Sequence, residues 1–141
     1  MSTTPDDQLR FDLAKFNTLQ GEELYEYMHP FMWSADSIVD PNDVAAIASQ
    51  LSSYNDEYHL VYAIELGADH QADLFAGLIP PFLSHKEQSV RLAASRALER
   101  LPERVVTTHL LNAVETALKS CPESDHMQKL TERFKTILAP Q

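Results

Sequence analysis

From Leu9 to Leu138, apolar residues recur three and four positions apart, with only three glycines in the whole chain to interrupt them. That spacing lines side chains along one stripe of a helix, whereas a strand would send alternate ones to the opposite face. The clearest series is Val90, Ala94, Ala97, Leu98 and Leu101, which falls on i, i+4, i+7, i+8 and i+11. An all-α fold is therefore expected, and the breaks in the pattern mark its turns.

Prolines and capping residues divide the pattern into about eight helices. Thr4-Pro5-Asp6-Asp7 offers a hydroxyl N-cap, a proline at the first helical position and acids at the positive dipole end, ahead of Leu9, Leu13 and Phe16. A second helix after Gly21 carries Leu24, Met28, Phe31 and Met32; His29-Pro30 should kink it or end it early, and Trp33 to Val39 reads as a loop. Asp40-Pro41 starts a third helix with Val44, Ile47, Ala48 and Leu51, and a fourth buries Val61, Ile64 and Ala68. Asp69 is expected to cap a fifth, with Phe75, Leu78, Ile79 and Phe82 inward, that Pro80-Pro81 bends or terminates. Ser84-His85-Lys86-Glu87 has the form of a capping box before the sixth helix. Pro102 precedes a seventh with Leu110, Leu111, Val114 and Leu118; Cys121-Pro122 precedes an eighth with Met127, Leu130, Phe134, Ile137 and Leu138. Short turns make neighbours antiparallel. The expected architecture is one domain, residues 1–141, of stacked helical hairpins, with an irregular helical bundle as the alternative. A chain of this length buries about 68% of its surface on folding, enough for a core without disulfide or metal.

Residues 78–101 resemble a HEAT repeat. An apolar helix ends in Leu83, a short turn follows, and the second helix reads Val90-Arg91-x-x-Ala94-x-x-Ala97-Leu98. Small Ala94 and Ala97 allow close approach of neighbouring helices, while Val90 and Leu98 fill the layer. The segment departs from the family pattern in carrying His85 at the turn and a double proline late in the first helix. Looser counterparts lie about 32 residues earlier (Leu60, Ala63, Leu66) and about 35 residues later (Met127, Leu130, Phe134). The resemblance implies a short HEAT-like stack whose surface serves as a platform for another macromolecule.

The net charge of -10 is unevenly placed. Residues 1–73 hold 14 acids against Arg10 and Lys15, whereas residues 74–141 hold seven acids and nine bases. No Lys or Arg occurs in residues 16–85, which contain 11 Asp and Glu. Acids without local counter-charges repel one another, so this stretch points to a negative face that steers a basic partner. It also argues against binding nucleic acid through the phosphate backbone.

Motifs for catalysis or cofactors are not found. Gly21, Gly67 and Gly77 form no phosphate loop, the six histidines are dispersed, and Cys121 is a single cysteine beside a helix break. No cofactor or metal is expected, and the chain does not read as an enzyme. No apolar run approaches the length of a membrane span and the start lacks a signal-peptide pattern, so the cytosol is the default address. Tyr25, Tyr27, Tyr54, Tyr58, Tyr62 and Trp33 all fall in the acidic half, and Tyr and Trp are favoured interface anchors. Arg96, Arg100 and Arg104 interleave with Glu99 and Glu103 at spacings that suggest pairing along one helix.

In size, acidity and helical-repeat character the chain is similar to bacterial immunity proteins of toxin–immunity systems, including those of contact-dependent growth inhibition. That resemblance implies an acidic binding module that neutralises a basic toxin, for example a nuclease. The competing classes are a HEAT-like adaptor or chaperone, and an enzyme of lyase or DNA-repair type. The candidate docking residues are Glu22, Glu23, Glu26, Trp33, Asp36, Tyr54, Asp56, Glu57, Tyr58, Asp69 and Asp73.

Overall fold

The computed structural model describes residues 9–33 and 37–140, and for Trp33 the backbone only. Among the described residues there are eight α-helices and no strand beyond an isolated bridge, in agreement with the all-α expectation. They are α1 (Leu13–Thr18), α2 (Gly21–Trp33), α3 (Pro41–Gln50), α4 (Glu57–His70), α5 (Ala72–Phe75), α6 (Gln88–Arg100), α7 (Thr108–Ser120) and α8 (Asp125–Leu138), with short 3₁₀ turns at Leu51–Ser53, Pro80–Ser84 and Glu103–Val105. Even-numbered helices touch in succession, α2 on α4, α4 on α6 and α6 on α8. Helix α3 lies against α4 and α5, the Pro80–Ser84 turn lies against α6 and α7, and α7 pairs with α8.

Capping side chains define most of the helix starts. Asp40 accepts from the Asn42 N–H with Pro41 at the first turn, as its sequence predicts. Asp12, Asp56, Thr107 and Ser124 do the same work for α1, α4, α7 and α8. The expected breaks at Pro102 and Cys121-Pro122 are present, and Val90, Ala94, Ala97, Leu98 and Leu101 are all buried.

Several expectations need correction. The proposed start at Thr4-Pro5-Asp6-Asp7 lies outside the described residues, but Leu9 to Phe11 is extended, not helical. Its backbone pairs with Ile38, through Phe11 N–H to the Ile38 carbonyl at 2.9 Å and Ile38 N–H to the Leu9 carbonyl at 2.7 Å. The helix begins only after Asp12, whose carboxylate takes the Ala14 and Lys15 N–H groups. Helix α2 continues through Pro30 to Trp33, because Pro30 stands on the exposed side, where water can solvate the carbonyl that proline leaves unbonded. Asp69 caps nothing, since α4 runs on to His70, and α5 is a single turn. Pro80-Pro81 opens a 3₁₀ turn where it was expected to bend or end a helix. The capping box does not form: Glu87 N–H donates to His85 Nδ1 at 3.0 Å, and no side chain caps α6.

The largest departure is α4. One buried stripe was expected, yet His59, Leu60, Tyr62, Ala63, Ile64, Leu66, Gly67 and Ala68 are all buried and Val61 is only half-buried. A helix enclosed over most of its circumference forms the core of a domain. Two details make this enclosure tight. His59 Nε2 bonds the Phe16 carbonyl at 2.8 Å while its ring stacks on Tyr54, which fixes α1 against the first turns of α4. At the other end the buried Phe75 ring lies on Gly67, where a Cβ would stand 2.1 Å from the ring.

Gly67→Ala should therefore destabilise the protein by about 1–3 kcal/mol through overpacking, against the ~1 kcal/mol that alanine gains in helix propensity. Ala94→Leu, at the fully buried α6 surface, should cost about 1–3 kcal/mol for the same reason. Urea unfolding measures both; parental stability in either variant would contradict the close approach assigned to that position.

Candidate functional site

The candidate docking residues separate into groups once folded. Glu22, Glu23 and Glu26 are exposed on α2, and none makes an ion pair with another described residue. Asp36 and the Trp33 side chain lie outside the described residues.

Asp56 and Tyr54 have structural duties. The Asp56 carboxylate caps α4 through the Tyr58 N–H at 2.9 Å and also accepts the Gly21 N–H at 2.8 Å, joining the first turns of α4 and α2. Gly21 carries φ +56°, the left-handed region where a side chain would be strained. Tyr54 precedes α4 and does not share a helical face with Tyr58 and Tyr62. It stacks on His59, meets Phe16 edge-on, and its hydroxyl contacts Asn17 and Gln50; burial pushes its phenol up to about 12.

Three acids of α4 and α5 are engaged by α6 and by the Glu103–Val105 turn that follows it. Asp69 pairs with Arg100 at 3.1 Å, Asp73 pairs with Arg104, and Glu57 accepts from the Ser89 hydroxyl. The arginines thus serve acids 31 residues earlier, where pairing with Glu99 and Glu103 along their own helix was expected. Similar offsets recur elsewhere. Asn17 and Gln50 bond across 33 residues, and Arg133 donates to the Leu101 carbonyl across 32. Exposed pairs of this kind are worth up to ~1 kcal/mol each, so they define register more than stability.

Within the described part of the acidic stretch the exposed acids without a described partner are Glu22, Glu23 and Glu26 on α2; Asp43 and Glu65 are half-buried and also unpaired, and Glu87, Glu103, Glu123 and Asp125 stand exposed without an ion pair in the second half. Tyr58, Tyr62 and Glu65 follow one another at helical spacing on α4, against which α2 packs, and the Tyr25 ring of α2 lies against His29. Tyr25 is 47% exposed, Tyr58 and Glu65 are half-buried, and the Tyr62 ring is buried. Burial, then the Glu65 carboxylate, then Tyr25 and Tyr58 push the Tyr62 phenol up to about 12. Burial raises the Glu65 carboxyl above the usual glutamate range, and Asp69 adds to this, while Arg100 and Arg96 oppose it. The spacing of 58, 62 and 65 was legible; the approach of Tyr25 depends on tertiary packing.

Among the described residues no group of three or more His, Cys, Asp or Glu is placed to hold a metal ion, and no helix is long and apolar enough to cross a membrane. Comparison with protein-family models, curated proteins and solved structures returns no match.

The Glu65 shift has a definite sign. Between the usual glutamate range and its raised value, the folded state holds a proton that the unfolded state has released, so stability falls as pH rises through that window. Glu65→Gln should remove this part of the slope and raise stability at neutral pH relative to the parent. Urea titrations from about pH 4 to about pH 8 would show it, and a variant curve parallel to the parental one would contradict the desolvated carboxylate.

Proposed function

We propose that this protein is an acidic binding module that neutralises a basic protein partner, acting as a cytosolic immunity protein against a cognate bacterial toxin, for example a nuclease. The observation that carries the reading is the segregation of its charge. Asp69 and Asp73 are paired by arginines, whereas Glu22, Glu23 and Glu26 stand exposed on α2 without a described counter-ion. Glu22 and Glu23 interact favourably with the positive end of α2, and all three acids attract an oppositely charged protein during diffusional approach.

The architecture supports a platform role. Even helices touching in succession, and contacts recurring at offsets of 31 to 33 residues, are what a short HEAT-like stack would produce. In such a stack equivalent positions of successive units lie side by side and create a continuous surface.

The partner is best sought as the product of the adjacent gene. Glu22→Gln, Glu23→Gln and Glu26→Lys combined should slow association about tenfold or more, without placing new positive charge in the first turn of α2. Glu123→Lys with Asp125→Lys, at the far end of the chain, should have little effect on association. Binding should also weaken as salt rises, since ~0.15 M salt screens exposed charge beyond about 8 Å. Stopped-flow association measures these effects. Equal loss from both sets, or indifference to salt, would sink the α2 face as the steering surface.

A further inference from the structure

Resting on that reading, we infer that the cleft between the end of α1 and the starts of α2 and α4 holds an arginine side chain of the basic partner, whose guanidinium donates to the Asp56 carboxylate and to Nδ1 of His59.

The cleft has a volume of about 440 Å³. Asn17 and Gln20 line it from the end of α1 and the turn after it; Tyr54, Asn55, Asp56 and His59 line it from the start of α4. Its wall is fixed by bonds already made. The Tyr54 hydroxyl contacts Asn17 Oδ1 at 2.8 Å and Gln50 Oε1 at 2.9 Å, and the Tyr54 ring stacks on His59 with centroids 5.0 Å apart. Two acceptors are left over. His59 is 5% exposed, and its Nε2 carries a hydrogen because the Phe16 carbonyl, 2.8 Å away, can only accept. In the neutral ring Nδ1 is then a lone-pair acceptor, and no described residue donates to it. The Asp56 carboxylate takes one N–H on each oxygen, from Tyr58 and Gly21, which leaves roughly half of its lone-pair sites unused. An acceptor withdrawn from water without a donor is costly, and an incoming donor removes that cost. A guanidinium presents its donors in a planar fork and reaches two acceptors at once, which a point-like ammonium does less well.

Charge selects this cleft over its neighbour. No Lys or Arg lines it, whereas Lys86 lines the cleft on the α6 side of Asp56. Glu22 and Glu23 stand exposed in the first turn of α2, directly after the Gly21 that Asp56 holds. The acids that steer a basic protein therefore lead to the place where acceptors are unused. A nucleic acid would bring phosphate acceptors to acceptors and meet repulsion along the same path.

Asp56→Asn would also weaken the α4 cap, so the test reads the cleft through His59. A blocked glycine–arginine–glycine peptide, titrated into the full chain with isotope-labelled histidine rings, should shift the NMR signal of His59 Nδ1 and leave the other histidines in place. The same peptide with neutral citrulline for arginine should not. No shift at His59, or equal shifts from both peptides, would overturn the site. With the adjacent-gene product, Asn55→Lys, which puts an ammonium at the exposed rim, should raise Kd tenfold or more. Asn112→Lys, the same change of charge on the exposed side of α7, should have little effect. Equal losses from the two would assign the effect to net charge and overturn the site. If Asn55→Lys binds as the parent does while the α2 variant loses association, the cleft assignment falls and the immunity reading stands. If the peptide maps to the cleft but the adjacent product is not bound, the immunity reading falls and the arginine site stands.

Discussion

Enclosure of α4 governs the rest of the molecule. A helix with buried residues around most of its circumference has nowhere to place a solvent face except at its ends and along Tyr58, Glu65 and Asp69. It needs neighbours on several sides, and α2, α3, α5 and α6 supply them. Each fully buried leucine or isoleucine on it contributes about 1.5–3 kcal/mol, so these contacts outweigh any surface ion pair. The absence of a side chain at Gly67 is part of this arrangement, because it lets the Phe75 ring close the end of α4.

Packing α6 against α4 also settles where the charges go. Arg100 of α6 meets Asp69 of α4, and Arg104 of the following 3₁₀ turn meets Asp73 of α5. Two acids of the long acidic tract are thus paired in space with arginines of the second half, whereas Glu22, Glu23 and Glu26 on α2 stay exposed without a described counter-ion.

A surface built on such a core is pre-organised. Tyr58 and Glu65 are half-buried on a helix enclosed over most of its circumference, and Asp56 ties its start to Gly21 of α2. A partner docking there would order little of the protein, and interfaces lose less affinity to ordering when the site is already rigid.

The sequence by itself determined the helical class, the number of helices, the α6 stripe and the breaks at Pro102 and Pro122. These features rest on local periodicity and on backbone donors that proline lacks, and both are written in neighbouring residues. Asp40-Pro41 was legible for the same reason. Tertiary structure decided the points at which two local signals competed. Ser84-His85-Lys86-Glu87 has a capping-box form, but His85 takes the Glu87 N–H; Pro30 has the form of a stop, but it sits where solvent tolerates it. Leu9 and Phe11 fit a helical stripe, yet the Asp12 cap and the Ile38 backbone draw them into an extended segment. The candidate site was legible only in part, as the acids of α2 and the spacing of Tyr58 with Tyr62. Which acids would be neutralised, and that Tyr25 would approach Tyr62, depended on contacts between helices. Charge pairing and ring proximity follow distance in space, and local sequence patterns do not specify distances between residues about 30 or more positions apart.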